Sequence, residues 1–281
     1  MSRVRTPASG RAPSRRRLLI LGGTGEAAEL AEIAVGQGQL EVITSLAGRT
    51  RTPRDLSGEV RSGGFGGVQG LSVFLRERAI ERVIDATHPF AVQIGRHAEA
   101  ACRELQIPRL RLLRAPWRAM PGDRWITVPD LAGAAARLPA LGRRVLLSIG
   151  HRELAPFAGL DALWFLVRSI EPPAVLPRQA LWLSARGPFR LEDELALLRA
   201  HRIDALVTKA SGGDATYAKL AAARTLGLPV LMIERPPTPP GPLVETVTDA
   251  LAWLGATGSL TPRASPDAER DDGPAHRAGS R

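Results

Sequence analysis

The sequence is poor in cysteine, and it has no long hydrophobic run. Its single cysteine, Cys102, excludes an internal disulfide and any metal site built from several cysteines. No apolar stretch approaches the roughly 20 residues that a membrane-spanning helix needs. The apolar run at residues 18–21 is too short for the core of a signal peptide. These absences predict a cytoplasmic protein that has no membrane partner.

Aromatic residues are also scarce, at 4% of the chain, although the hydrophobic share of 44% is ordinary. The core must therefore be built mainly from Leu, Ile, Val and Ala. A length of 281 residues exceeds the usual size of one domain, so we expect two.

The net charge of +10 is concentrated at the N-terminus. Six arginines and no acidic residue lie within the first 17 residues, together with Pro7 and Pro13. This composition predicts a disordered basic arm over residues 1–16, and residues 256–281 are predicted to be a disordered tail. The interleaved aromatic residues that single-strand binders use for stacking are absent. We therefore expect no nucleic-acid partner.

Short β-rich runs alternate with helical periodicity along the rest of the chain, as is typical of βαβ units with parallel sheets. The pattern predicts an N-terminal Rossmann-like domain over residues 17–116 and a C-terminal α/β domain over residues 117–255. Residues 116–124 are predicted to be a hinge, and helices are predicted at 215–226 and 244–254. The expected fold is α/β, with two Rossmann-like lobes that have parallel sheets and an interlobe cleft.

A glycine-rich turn follows the first predicted strand and opens a helix. Within it, Gly23, Gly25 and Ala28 match the G-x-G-x-x-A form of the dinucleotide fingerprint. Glycines let the backbone approach a pyrophosphate, and the helix N-terminus offers free N–H groups. Gly23, Thr24, Gly25 and Glu26 are therefore candidate cofactor-binding residues. The alternative is a plain strand-to-helix turn.

The residues after the second predicted strand bear on the choice of cofactor. NAD enzymes usually place an acidic residue there for the ribose 2′-hydroxyl, whereas an arginine accommodates the 2′-phosphate of NADPH. This chain has no acid at that point but has Ser45, Arg49 and Arg51. The pattern favours NADPH, held by Ser45 and Arg49. The alternative is a solvated basic loop.

Residues 63–67 form a second glycine-rich segment after a weak third strand. Because it falls at the carboxyl edge of the expected sheet, Gly64, Phe65 and Gly66 are candidates for contacts to the nicotinamide. The alternative is a merely flexible loop.

The fourth predicted strand ends in Asp85-Ala86-Thr87-His88-Pro89 at the same edge. His88 and Asp85 are candidates for acid–base chemistry, and Thr87 is a candidate cofactor contact. The alternative is that Asp85 and Thr87 cap the next helix while His88 merely packs. The remaining histidines lack paired ligand spacing, so we expect no metal.

The second half has another turn of the phosphate-binding type, from Thr208 to Gly213. Lys209 could meet a cofactor phosphate or a substrate carboxylate, and it is the third candidate for acid–base chemistry. Ser211 and Gly212 are candidate cofactor contacts. Arg168 and Arg186 at apparent strand ends suit a polyanionic substrate, although they could be plain loop charge.

Taken together, these motifs resemble the precorrin-6A reductase family, including its cobalt-precorrin-6A branch. The segments that carry the resemblance keep family order from about residue 18 to 235. They are the turn at 20–27, Ser45–Arg49, the loop at 63–67 with Leu71, Asp85–Ala91, Arg114 with Trp117, 168–172, 187–189, and 208–213 with Lys219.

The resemblance implies NADPH-dependent reduction of one double bond in the precorrin-6A macrocycle, or in its cobalt form, during cobalamin biosynthesis. It also implies a tetrapyrrole substrate whose carboxylates Arg114, Arg168 and Arg186 would pair, and handover of the product to neighbouring pathway enzymes. One alternative is an NmrA-like or short-chain reductase. The Tyr-x-x-x-Lys spacing of short-chain enzymes fails here, because Lys219 follows the only tyrosine, Tyr217, by two residues. The other alternative is a non-catalytic NADPH-sensing module.

Overall fold

The computed structural model describes residues 16–48 and 55–256, which form two α/β lobes. The predicted basic arm and tail lie almost entirely outside the described residues. In the first lobe the run at residues 18–21 is fully buried, because both faces of a parallel strand are covered by helices. The elements of this lobe are β1 (Arg16–Leu21), α1 (Gly25–Gly36), β2 (Leu40–Leu46), β3 (Glu59–Ser62), α2 (Gly67–Glu77), β4 (Arg82–Asp85), α3 (Val92–Glu104) and β5 (Arg109–Leu112).

The second lobe repeats the alternation around Val145, Leu147, Phe165 and Val207, which are fully buried. No helix within the described residues is long and apolar enough to cross a membrane. The elements of this lobe are β6 (Arg124–Val128), α4 (Leu131–Arg137), β7 (Arg144–Ser148), β8 (Trp164–Ser169), β9 (Ala180–Ser184), α5 (Leu191–Ala200), β10 (Ala205–Lys209), α6 (Ala218–Thr225) and β11 (Pro229–Ile233).

The chain then returns to the first lobe as strand β12 (Leu243–Val244) and helix α7 (Val247–Gly255). The sheet orders are β12-β5-β4-β1-β2-β3 and β6-β11-β10-β7-β8-β9, and every strand pair is parallel. The predicted fold class, two α/β lobes with parallel sheets, is confirmed.

The prediction that residues 117–255 belong wholly to the second domain is wrong at its end. Val247, Ala250 and Leu254 pack in the same core as Leu18 and the small residues of α1. Arg82 of β4 donates to the carbonyls of Trp253 and Leu254 at 3.0 and 2.9 Å, which satisfies the end of α7. Helical periodicity shows that a helix has an apolar face, but it does not show which sheet covers that face.

The predicted hinge at 116–124 has no regular structure before β6, yet it is fixed to the second lobe. The Trp117 indole donates to the Gly213 carbonyl at 2.8 Å, and Arg224 pairs with Asp123 at 2.9 Å. The segment is therefore anchored at both of its ends.

Candidate active site

The glycine-rich turn after β1 lies at the carboxyl edge of the first sheet, beside the ends of β2 and β4. The Gly22 amide donates to the Ser45 carbonyl at 2.9 Å. Thr24 caps α1 by accepting from the Ala27 amide at 3.1 Å, and its hydroxyl donates to the Ala86 carbonyl at 2.9 Å. Thr24 thus connects the glycine turn to the turn at 85–88.

The two fingerprint glycines face open space. Gly23 has a φ of +111°, and a Cβ added at Gly23 or at Gly25 would meet no atom within 4 Å. Gly22, by contrast, packs closely against Thr44. The turn therefore presents bare backbone at the start of a helix of 12 residues. A pyrophosphate fits such a surface, since it needs close backbone approach and N–H donors.

Ser45 lies at the end of β2, as the sequence predicts, but its hydroxyl has a partner that the sequence did not indicate. Arg61 of β3 donates to Ser45 Oγ at 2.9 Å and to the carbonyls of Gly63 and Gly64 at 3.0 and 3.1 Å. The register of β2 and β3 places Ser45 opposite Arg61. Arg49 lies outside the described residues.

The loop at 63–67 is held by packing as well as by hydrogen bonds. Phe65 lies 5.2 Å from Phe74, ring centroid to ring centroid, and the Arg61 guanidinium lies 3.9 Å from the centre of the Phe65 ring. Phe65 therefore belongs largely to the core between α2 and α3 rather than to a nicotinamide pocket. Gly64 and Gly66 are exposed, with open space at their Cβ positions.

Asp85 is fully buried, so it does not offer a proton to a substrate. Its carboxylate pairs with Arg111 of β5, and its Oδ1 accepts from the Thr87 hydroxyl at 2.8 Å. Arg111 also donates to the Thr87 hydroxyl at 3.0 Å. The alternative that Asp85 and Thr87 cap α3 is wrong too, because the cap position is Ala91 and has no side-chain hydrogen bond. These residues form a buried support under His88.

His88 lies above this support among several cations. Burial lowers the pKa of His88 to about 3, and the positive charges of Arg114, Lys209, Arg235 and Arg111 act in the same direction. Its Nδ1 accepts from the Phe90 amide at 3.2 Å, which leaves the proton of the neutral ring on Nε2. A neutral His88 has no second proton to give near neutrality, so it is a hydrogen-bond donor rather than the expected general acid.

Lys209 comes from the second lobe and meets the first. Its ammonium group pairs with Glu153 at 2.5 Å and lies 4.8 Å from the centre of the Phe90 ring. Lys209 and His88 are thus brought to the same interlobe junction.

Ser211 and Gly212 do not form the expected phosphate-binding turn. The Ser211 carbonyl accepts from Arg114 at 2.8 Å and from Arg235 at 2.9 Å, and a Cβ on Gly212 would lie 2.1 Å from the Ala115 carbonyl oxygen. The glycine is needed here because the turn packs against the chain that joins the lobes. This turn is part of the interlobe contact.

The three arginines predicted to bind substrate do not converge. Arg114 bridges the lobes and pairs with Glu26 at 3.0 Å. This ion pair engages Glu26, which the sequence predicts to contact the cofactor. Arg168 is 5% exposed and pairs with Glu194 inside the second lobe, so it has no face toward a ligand. Arg186 is exposed in the segment after β9.

Two hollows adjoin the first turn and differ in charge. A groove of about 510 Å³ runs along α1 to Asp214 of the second lobe, and five of its lining residues are acidic: Glu26, Glu29, Glu32, Asp55 and Asp214. Carboxylates repel phosphates and acidic substrates, so this groove does not suit them. A hollow of about 10 Å³ lies where the two turns meet the lobe junction, and its charged lining residues, Glu26 and Arg114, form an ion pair.

Comparisons with known proteins show the family of the chain. The family model described as Precorrin-6x reductase CbiJ/CobK matches residues 17–255. Precorrin-6A reductase of Rhodococcus erythropolis is 52% identical over 241 residues, covering 85% of this chain and 97% of that protein. The Rhodobacter capsulatus enzyme of the same name is 45% identical over 249 residues, covering 88% and 98%.

A solved structure of CobK precorrin-6A reductase has a TM-score of 0.82 and 44% identity, and the match covers 85% of this chain and 96% of that one. The resemblance seen in the sequence motifs is confirmed. The chain belongs to the precorrin-6x reductase family.

Proposed function

We propose that this chain reduces one carbon–carbon double bond of the precorrin-6A macrocycle with NADPH, giving the 6B form in cobalamin biosynthesis. The observation that carries the proposal is the meeting of two turns at one sheet edge. Thr24, between the bare glycines of the first turn, donates to the Ala86 carbonyl in the turn that carries His88, and Lys209 of the second lobe lies 4.8 Å from the centre of the Phe90 ring at the end of that turn.

The first lobe holds the cofactor in this proposal. Gly23, Thr24 and Gly25 bind the pyrophosphate at the N-terminus of α1, where free N–H groups and the helix dipole favour an anion. Ser45 and Arg49 bind the 2′-phosphate. When bound, NADPH supplies the hydride, and the protein supplies binding, orientation and electrostatics.

The turn at 85–88 orients the bound ligands and does not protonate the substrate. The Asp85–Arg111 pair fixes Thr87, and the neutral His88 directs an N–H toward the ligands without changing charge between pH 5 and 8. Gly64 and Gly66 leave room for the nicotinamide end of the cofactor beside this turn.

The reduced macrocycle must also take up a proton after the hydride. Among the three candidates, Asp85 is enclosed and ion-paired and His88 carries no second proton near neutrality, whereas Lys209 is an ammonium group at the lobe junction. We propose Lys209 as the proton donor, with Glu153 holding its position. The exposed Arg186 contacts a carboxylate of the substrate, while Arg114 keeps the two lobes together.

The test is anaerobic NADPH oxidation with metal-free precorrin-6A and cobalt-precorrin-6A offered in parallel, and with NADH as the control cofactor. We expect oxidation with the metal-free macrocycle, because the relatives named above carry its name. Lys209→Met should retain NADPH binding but lose turnover at least 100-fold, as typical for removal of an acid catalyst.

The outcomes separate the alternatives. Tight NADPH binding without oxidation of either macrocycle would point to a sensing module instead of a reductase. Failure to bind NADPH would overturn the assignment of the first lobe. Full activity of Lys209→Met would remove Lys209 from the proton step while leaving the reductase activity in place.

A further inference from the structure

Arg61 occupies an unusual electrostatic position at the carboxyl edge of the first sheet. Its guanidinium donates to Ser45 Oγ, to the Gly63 carbonyl and to the Gly64 carbonyl, and it lies over the Phe65 ring. Every one of these partners is neutral. Within residues 16–48 and 55–256, no carboxylate lies within ion-pairing distance of Arg61.

This charge is also partly removed from water. Burial is the cause that lowers the pKa of Arg61 from its ordinary value, which means that the cation is desolvated without a compensating anion. Arg78 at the end of α2 shows the contrast, since it pairs with Glu59 at the start of the strand that carries Arg61. A partly buried cation that lacks a counterion gains stability when an anion binds next to it.

The strand register fixes where such an anion would lie. Ser45 and Arg61 are direct partners in β2 and β3, so the cation stands beside the hydroxyl at the end of the second strand. In Rossmann-type lobes this is the place where the ribose 2′ substituent of the cofactor is read. A guanidinium has five N–H donors, and three of them are used in the hydrogen bonds above, so donors remain for a phosphate.

We propose that Arg61 is a specificity-determining residue that binds the 2′-phosphate of NADPH together with Ser45. This inference rests on the proposed function. It adds a guanidinium that the pattern after the second strand does not reveal, because Arg61 comes from the third strand. The same Arg61 side chain also orders the loop at 63–67, because it donates to the carbonyls of Gly63 and Gly64.

The test compares cofactor affinities in the full chain, measured by isothermal titration calorimetry without any macrocycle. Arg61→Gln should weaken NADPH binding by about 10-fold to 100-fold, the effect of losing one charge-assisted phosphate contact, and should leave NADH binding within about twofold. Arg78→Gln is the matched control, because Arg78 also faces the Phe74 ring and pairs with Glu59 on the strand that carries Arg61. It should change neither affinity.

A second measurement does not depend on the stability of that variant. In the NMR spectrum of the wild-type chain, the Arg61 Nε–H resonance, identified through its loss in Arg61→Lys, should shift on addition of adenosine 2′,5′-bisphosphate but not of adenosine 5′-phosphate. Equal shifts with both nucleotides, or equal weakening of NADPH and NADH in Arg61→Gln, would show that Arg61 only holds the loop and would overturn the proposal. Absence of NADPH binding by the wild-type chain would instead overturn the proposed function itself.

Discussion

His88 illustrates how a residue's surroundings decide its chemistry. With a pKa of about 3 in the folded chain, its imidazole should stay neutral from pH 5 to 8, with the proton on Nε2. We expect the ring nitrogen NMR signals of His88 to remain unchanged over that range. A midpoint for His88 above pH 6 would contradict the assignment.

Lys219 offers a second residue-scale prediction, on stability. It is 2% exposed, its ammonium group lies 4.7 Å from the centre of the Trp117 ring, and its Nζ donates to the Thr216 carbonyl at 2.7 Å. Burial lowers the pKa of Lys219 to about 7, with a further contribution from the charge of Arg168. The unfolded chain keeps a pKa near 10.5, so between these pH values it binds more protons than the folded chain.

The free energy of unfolding should therefore rise with pH above 7, by up to about 1.4 kcal/mol per pH unit from this group. Lys219→Met should lack that part of the rise, because methionine fills a similar volume without a charge. Urea unfolding of both proteins at pH 7.0, 8.0 and 9.0 measures the difference in slope. Parallel curves for the two proteins would mean that Lys219 is charged in the folded state.

At the scale of elements, the contact between α2 and the glycine-rich loop is set by a missing side chain. A Cβ on Gly70 would lie 1.7 Å from the Phe65 carbonyl oxygen, so the loop can close on the helix only where there is no side chain. Alanine usually stabilises a helix interior relative to glycine. Here Gly70→Ala should instead destabilise the protein by about 2–4 kcal/mol, by forcing backbone apart.

Gly36 is the matched control for this change, because it also lies in a helix of the first lobe and a Cβ there meets no atom within 4 Å. Gly36→Ala should be neutral or stabilising by up to about 1 kcal/mol. Thermal unfolding of the two variants beside the wild type decides the matter. Equal changes in stability for the two substitutions would show that the loop moves away from a side chain at residue 70 without destabilising the protein.

The turns of the candidate site could be predicted from the sequence, whereas their side-chain partners could not. Strand-to-helix turns follow from local pattern, so the segments after β1 and β4 were found where they lie. Arg61, Arg111 and Glu153 reach the site from other elements, and their contacts depend on strand order and register. One signal did exist: β5 alternates arginine and leucine, and a charged residue in a strand that is buried on both faces needs a counterion.

For the whole molecule, the sequence predicted the two lobes but misplaced the end of the chain. Hydrophobic periodicity is a local property, and the pairing of β12 with β5 joins residues about 130 positions apart. The loop at 236–240 therefore crosses from one lobe to the other. The two lobes are tied by this crossing and by the contacts of Arg114 and Arg235, which makes the interlobe junction a property of the complete chain.

The crossing of the chain back to the first lobe predicts which lobe a substitution in α7 destabilises. Leu254 is 5% exposed in the core of the first lobe, although the chain reaches it only after completing the second. Leu254→Ala should cost about 2–5 kcal/mol, because it leaves a cavity between α7 and the sheet. Hydrogen exchange followed by mass spectrometry should then accelerate in β1 and β4 more than in β10 and β11.

Leu220→Ala in α6, fully buried in the second lobe, is the matched control and should give the reverse pattern. If Leu254→Ala instead accelerated exchange mainly in β10 and β11, the last helix would belong to the second lobe, and the interlobe crossing would be wrong.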